Sequence, residues 1–188
     1  MNEDSDMATP AKPKIATAHL TGCFGCHMSV LDIDERLLEL IELVDFDKSP
    51  IDDIKRFSGP CLVGIIEGGC SSDEHVETLH EFRRHCQILV VIGECAIQGN
   101  IPAMRNSVPL RECLEEAFVN GVSVVDGVIP NDPDIPLLLD KVYPVHEIVK
   151  VDYFLPGCPP SADTLWAALT GLLSKGEIAL PYELIKKD

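Results

Sequence analysis

The chain has 188 residues, 46% of them hydrophobic and 24% charged. That composition suits one globular domain with a real core and excludes a disordered polymer. Thirty-one Asp and Glu against fifteen Lys and Arg give a net charge of −16, which excludes non-specific binding to nucleic acid or to an anionic membrane.

No apolar run approaches the ~18 residues of a bilayer span. The opening MNEDSDMATPAKPK has no apolar secretory segment and no twin arginine. A cytoplasmic protein is expected, with residues 1–13 as a disordered acidic tail and 14–188 as a single domain.

KIATAHL (14–20) reads as a first strand. A helix follows over 29–44: Leu37, Leu40, Ile41 and Val44 fall at helical spacing, and Ser29 with Asp32 marks its start. CLVGIIEGG (61–69) is a buried strand running into a glycine turn, and 72–85 a polar helix carrying Val76, Leu79 and Phe82. QILVVIGEC (87–95) is apolar without alternation, the mark of a central parallel strand covered on both faces. A helix is expected over 109–119, a short strand within 121–130, a proline-rich loop over 130–136, and mixed strand and loop over 145–157. SADTLWAALTGLLSKG (161–176) is a helix capped by Ser161 and stopped by Gly176. Strands alternating with helices predict an α/β, flavodoxin-like fold: an open, mostly parallel sheet with helices on both faces.

Eight cysteines in a reducing compartment point to metal or redox chemistry. In an open parallel sheet, ligands bind beyond the carboxyl ends of the strands. Cys23 and Cys26 follow the first strand, Cys95 closes QILVVIGEC, and Cys158 follows VDYFLPG. All four therefore belong at one edge, where Glu67-Gly68-Gly69-Cys70 also emerges. Gly22, Gly25, Gly93 and Gly99 leave backbone amides free to approach sulfur, and the prolines of GCPP fix the chain after Cys158. Four thiolates on rigid loops suit a [4Fe–4S] cube. Cys-x-x-Cys alone reads equally as a thiol–disulfide pair or half a zinc site. A redox pair leaves GECAIQG and GCPP without a role, and zinc sites usually take two short-range pairs. Cys61, Cys86 and Cys113 read as packing residues, and Cys70 as a structural residue near the site edge.

CFGCHMSVLD, EGG, GECAIQGNIP and PGCPPSADTLWAAL together resemble the small subunit of [NiFe] hydrogenases. The likeness is to the short form found in soluble, cytoplasmic, NAD(P)-linked enzymes, and it covers about residues 14 to 180. It implies one [4Fe–4S] cluster on Cys23, Cys26, Cys95 and Cys158, and no catalytic residue in this chain. It implies a large-subunit partner carrying the Ni–Fe site, and electrons passing from H2 through the cluster to a NAD(P)-reducing diaphorase module. It also raises FMN, although the sequence has no glycine-rich P-loop.

Longer relatives carry a second cluster domain and a twin-arginine leader. This chain ends thirty residues after Cys158, so one cluster is expected. Oxygen-tolerant relatives carry further cysteines where this chain has Gly25 and Asn100, so a four-cysteine site is expected. The related cluster subunit of respiratory complex I has adjacent cysteines in its first motif, unlike Cys23 and Cys26. That subunit, or another electron carrier, is the alternative. Glu67 reads as a proton relay or interface group, or else as a carboxylate capping nearby amides. His27 is expected at a surface or interface unless it bonds cluster sulfur. Trp166 reads as core, and 71–77 as a solvated helix start.

Overall fold

The computed structural model describes residues 12–185, so residues 1–11 of the expected acidic tail lie outside the described residues. In chain order the elements are β1 (Lys14–His19), α1 (Gly25–Leu31), α2 (Arg36–Leu43), β2 (Asp45–Phe46), β3 (Cys61–Glu67), β4 (Cys70–Ser72) and α3 (Asp73–His85). They continue as β5 (Cys86–Ile92), α4 (Gly93–Gln98), α5 (Leu110–Phe118), β6 (Leu138–Tyr143), β7 (Tyr153–Leu155), α6 (Ala162–Lys175) and α7 (Tyr182–Ile185).

Five strands form one parallel sheet in the order β2-β1-β3-β5-β7. Counted within that sheet alone the order is 2-1-3-4-5, the flavodoxin-like arrangement with its reversal between the first and third strands. β4 and β6 pair antiparallel as a separate ribbon. The register matters for function. His19 pairs with Glu67, Glu67 with Ile92, and Ile92 with Leu155, so these four residues form one rim across the carboxyl ends of the strands.

Alternation along the strands divides the core. Ile15, Val63, Ile65, Val90 and Ile92 face one way and pack with Val30, Ile33, Leu40, Leu165, Leu169 and Leu172 from the α1, α2 and α6 side. Ala16, Ala18, Leu89 and Val91 face the other way, against Leu79 and Phe82 of α3 and Ala96 of α4. Helices therefore cover both faces, and burying both explains the unalternating run in β5.

The main elements expected from the sequence hold, with corrections. The expected helix over 29–44 is two helices: α1 starts earlier, at Gly25, and Asp34 takes a left-handed φ of 63° between them. The apolar spacing runs through the break because Val30, Ile33, Leu40 and Val44 all enter one core, while Ile41 is exposed. The strand over 87–95 stops at Ile92, where Gly93 turns the chain into α4 at φ 81°. No strand forms over 121–130; Val122, Val125 and Val128 are exposed, on a segment bent at Asp126 (φ 54°). Strand β6, unforeseen, has the mixed sequence LLDKVY and is largely open to solvent.

Asp47, buried at the end of β2, accepts hydrogen bonds from Lys48 N at 2.8 Å, Ser58 N at 2.9 Å and the Ser58 hydroxyl, and pairs with Lys14 at 3.2 Å. Burial alone would raise its pKa, but the Ser58 and Lys14 bonds outweigh it and hold the carboxyl below its usual range. A depressed carboxylate stabilises the fold above its unfolded pKa, and that stability is lost as pH falls through the folded value. Asp47→Asn should lose about 2 kcal/mol at neutral pH and show a flatter loss of stability below about pH 4. Urea denaturation across pH checks this; an unchanged acid limb contradicts it.

Candidate metal centre

Each segment that leaves the rim turns sharply, and backbone pairing holds the turns together. After β1, Leu20 N donates to Glu67 O at 2.8 Å, and Thr21 and Gly69 exchange two bonds of 3.0 and 2.8 Å. Cys23 follows, then Phe24 in a left-handed conformation (φ 66°), then α1 with Cys26 in its first turn. After β5, Gly93 leads into α4 and places Cys95 in its first turn. After β7, Gly157 leads to Cys158, whose bond to Pro159 is cis.

The four thiols line one cavity of about 50 Å³, together with Gly22, Gly25, Glu67, Gly68, Glu94 and Gly157. Space requires Gly93 and Gly157 to be glycine. A Cβ on Gly93 would stand 2.3 Å from the Cys26 sulfur, and one on Gly157 would meet Pro160 at 2.4 Å. Both also hold positive φ, 81° and 149°. A Cβ on Gly22 would meet only ordinary contacts.

Glu67 anchors the first loop. Its Oε2 accepts from the Cys26 amide at 2.9 Å, and its Oε1 accepts from His27 Nδ1 at 2.6 Å and His19 Nδ1 at 3.0 Å. An ionised carboxylate has only lone pairs, so both imidazoles donate. Glu67 is 3% exposed and His27 fully buried. Phe24 stacks on His27 with ring centres 4.7 Å apart and meets His19 edge-on. Burial alone would raise the carboxyl pKa, but the bonds from His19 and His27 outweigh it and hold the group down at about 2. The same burial, with the Glu67 charge beside it, pushes the free Cys26 thiol well above its ordinary range.

Glu94 joins the other two loops. Its backbone N donates to Gly157 O at 2.9 Å, and its Oε1 accepts from Gly157 N at 3.0 Å. The loops bearing Cys95 and Cys158 are thus clasped to each other. Asn100 reaches the same two residues: its Nδ2 lies 3.4 Å from Cys158 Sγ and 3.9 Å from Cys95 Sγ.

The four cysteines expected at one edge do converge there. Cys61, Cys70 and Cys86 are buried in the core, and burial pushes their thiols to about 11, about 11 and about 12, which makes them inert packing groups. Cys113 is half-buried on α5, outside the cavity lining. Trp166 packs against the core under Arg36. Ser72 caps α3, and Ser71 and Ser72 are buried, so only the later part of 71–77 is a solvated helix start. His27 is a correction: it lies neither at a surface nor against a described sulfur, but under Phe24 and on Glu67. The amide-capping reading of Glu67 holds. Sequence reasoning missed His19, Glu94 and Asn100 as site residues. His19 ends the first strand and Glu94 directly precedes Cys95, a signal the sequence did carry.

A family model described as the 20 kDa subunit of NADH–ubiquinone oxidoreductase matches residues 23–172. The span begins at Cys23 and runs past Cys158. The chain belongs to that family. Among its relatives, the delta subunit of the NAD-reducing hydrogenase HoxS from Cupriavidus necator is 48% identical over 94% of this chain and 86% of its own length. A subunit of the F420-non-reducing hydrogenase from Methanothermobacter thermautotrophicus is 41% identical over 90% of this chain, which spans 56% of that longer protein. A chain in the crystal structure of an NAD+-reducing [NiFe]-hydrogenase in the H2-reduced state superposes with TM-score 0.90 at 49% identity, covering 94% of this chain and 99% of that one. The NiFeSe hydrogenase of Desulfomicrobium baculatum, 18% identical with TM-score 0.55, shares the fold. The resemblance to hydrogenase small subunits therefore holds, and among described residues no helix is long and apolar enough to cross a membrane.

Glu67→Gln keeps the shape of the anchor and removes its charge. We expect a loss of about 3 kcal/mol in stability at pH 7, because two donors are left facing a neutral group. Denaturation of the purified chain measures it; a loss under about 0.5 kcal/mol contradicts the anchoring role.

Proposed function

We propose that this chain is the electron-transfer subunit of a [NiFe] hydrogenase, with one [4Fe–4S] cluster held by Cys23, Cys26, Cys95 and Cys158 on a single domain over residues 14–188. The convergence of these four thiols on one cavity supports it. The fit is also local: the Gly93 backbone makes room at the Cys26 sulfur that any side chain would fill.

A cluster held here supplies one-electron transfer between the Ni–Fe site of a large-subunit partner and a NAD(P)-reducing diaphorase module. The chain's own residues supply the setting. Glu67 fixes the Cys26 amide, and Glu94 clasps the Cys95 and Cys158 loops. Hydrogen chemistry belongs to the partner, and the complex is cytoplasmic. The resemblance also raises FMN, for which no binding residues are assigned. The family description also covers quinone-linked enzymes; nickel in the co-purifying large subunit separates the two readings.

In the purified complex, Cys26→Ser should abolish the electron paramagnetic resonance signal of the reduced cluster and lower H2-driven NAD+ reduction at least about 100-fold. Cys113→Ser should retain both. A Cys26→Ser complex with signal and activity intact shows that the ligand assignment is wrong.

A further inference from the structure

We infer that Asn100 sets the cluster's reduction potential by donating its side-chain amide hydrogens to the sulfurs of Cys95 and Cys158. The inference rests on the ligand assignment above and extends it to a residue with no ligating role. Asn100 Nδ2 lies 3.4 Å from one sulfur and 3.9 Å from the other, within reach of N–H···S bonds. One amide group carries two hydrogens and serves two acceptors. Iron-bound sulfurs carry no proton and only accept, so the N–H side of the amide, not its oxygen, must face them.

The placement is built into the chain. Gly99 ends α4 at φ 86° with its amide on Cys95 O at 3.0 Å, which folds the chain back over the helix. Asn100 then takes φ 43°, a left-handed conformation that asparagine tolerates and most side chains do not. Its carbonyl accepts from Ala103 N at 3.1 Å, at the start of the turn over 102–107. Backbone bonds on both sides therefore fix the residue whose side-chain amide meets the two sulfurs. Cys95 and Cys158 come from separate loops, so one side chain spans two of the four ligands. A donor facing sulfur stabilises the more negative, reduced cluster and raises its potential.

Asn100→Gly removes both donors, and Asn100→Asp replaces them with a carboxylate; both residues accept the left-handed backbone. In the purified complex, each variant should assemble the cluster and titrate at a lower potential, Asp lower than Gly. For Asn100→Gly the reduced-to-oxidised ratio at fixed potential should fall about tenfold, which for one electron is about 59 mV. Full iron and sulfide with an unchanged potential in Asn100→Gly overturns the inference and leaves the ligand assignment standing. If neither variant assembles a cluster, wild-type complex containing asparagine labelled with 15N in the side-chain amide decides. A nitrogen coupling to the reduced cluster in electron–nuclear double resonance supports the inference, and its absence overturns it. A wild-type complex without iron and sulfide at this site overturns the ligand assignment as well, and iron content distinguishes that failure from the other.

Discussion

The site depends on a buried carboxylate. Glu67 stands on the rim of the sheet between β1 and β5, is closed off from water, and accepts from a backbone amide and two imidazoles. A buried charge is tolerable only when its lone pairs are satisfied. The need works in both directions: the carboxylate requires Cys26 N, His27 and His19, and meeting that need fixes where α1 begins. Phe24, turned left-handed, covers the arrangement by stacking on His27. Cys26 is therefore held by a carboxylate at the end of β3, from outside its own loop.

The other half of the site is held differently. Glu94 uses its backbone and its side chain on the same residue, Gly157, and so joins two loops that are 63 positions apart in sequence. The two halves meet across the rim through the pairing of β3 with β5 and the close approach of Gly93 to the Cys26 sulfur. Asn100 adds a second link between the two later cysteines.

Much of this is legible in the sequence, and the reason is periodicity. The unalternating β5, the cap and stop of α6, and the position of cysteines just past strand ends follow from local rules, and together they place the thiols at one edge. What the sequence does not show depends on contacts between distant segments. The break at Asp34 is invisible because the same apolar residues enter the core on both sides of it. β6 is invisible because it is short, mostly exposed and paired only with β4. His27 reads as a surface residue because nothing in CFGCHMSV indicates that a carboxylate forty positions away lies beneath it. Asn100 stands out in the sequence only as a position without a cysteine; its reach toward two sulfurs emerges once α4 and the Cys158 loop are side by side.

Cys26, half-buried beside a carboxylate held ionised, is a poor nucleophile when free, which disfavours a thiol–disulfide role. The proposed centre is one four-iron cluster on four cysteines. It is tested most directly by Mössbauer spectroscopy with metal and acid-labile sulfide analysis on the anaerobically purified pair of this chain and its large subunit. One [4Fe–4S] spectrum per chain is predicted, with about four sulfides and with nickel in the partner. Zinc at this site without labile sulfide, or iron confined to the partner, would contradict it.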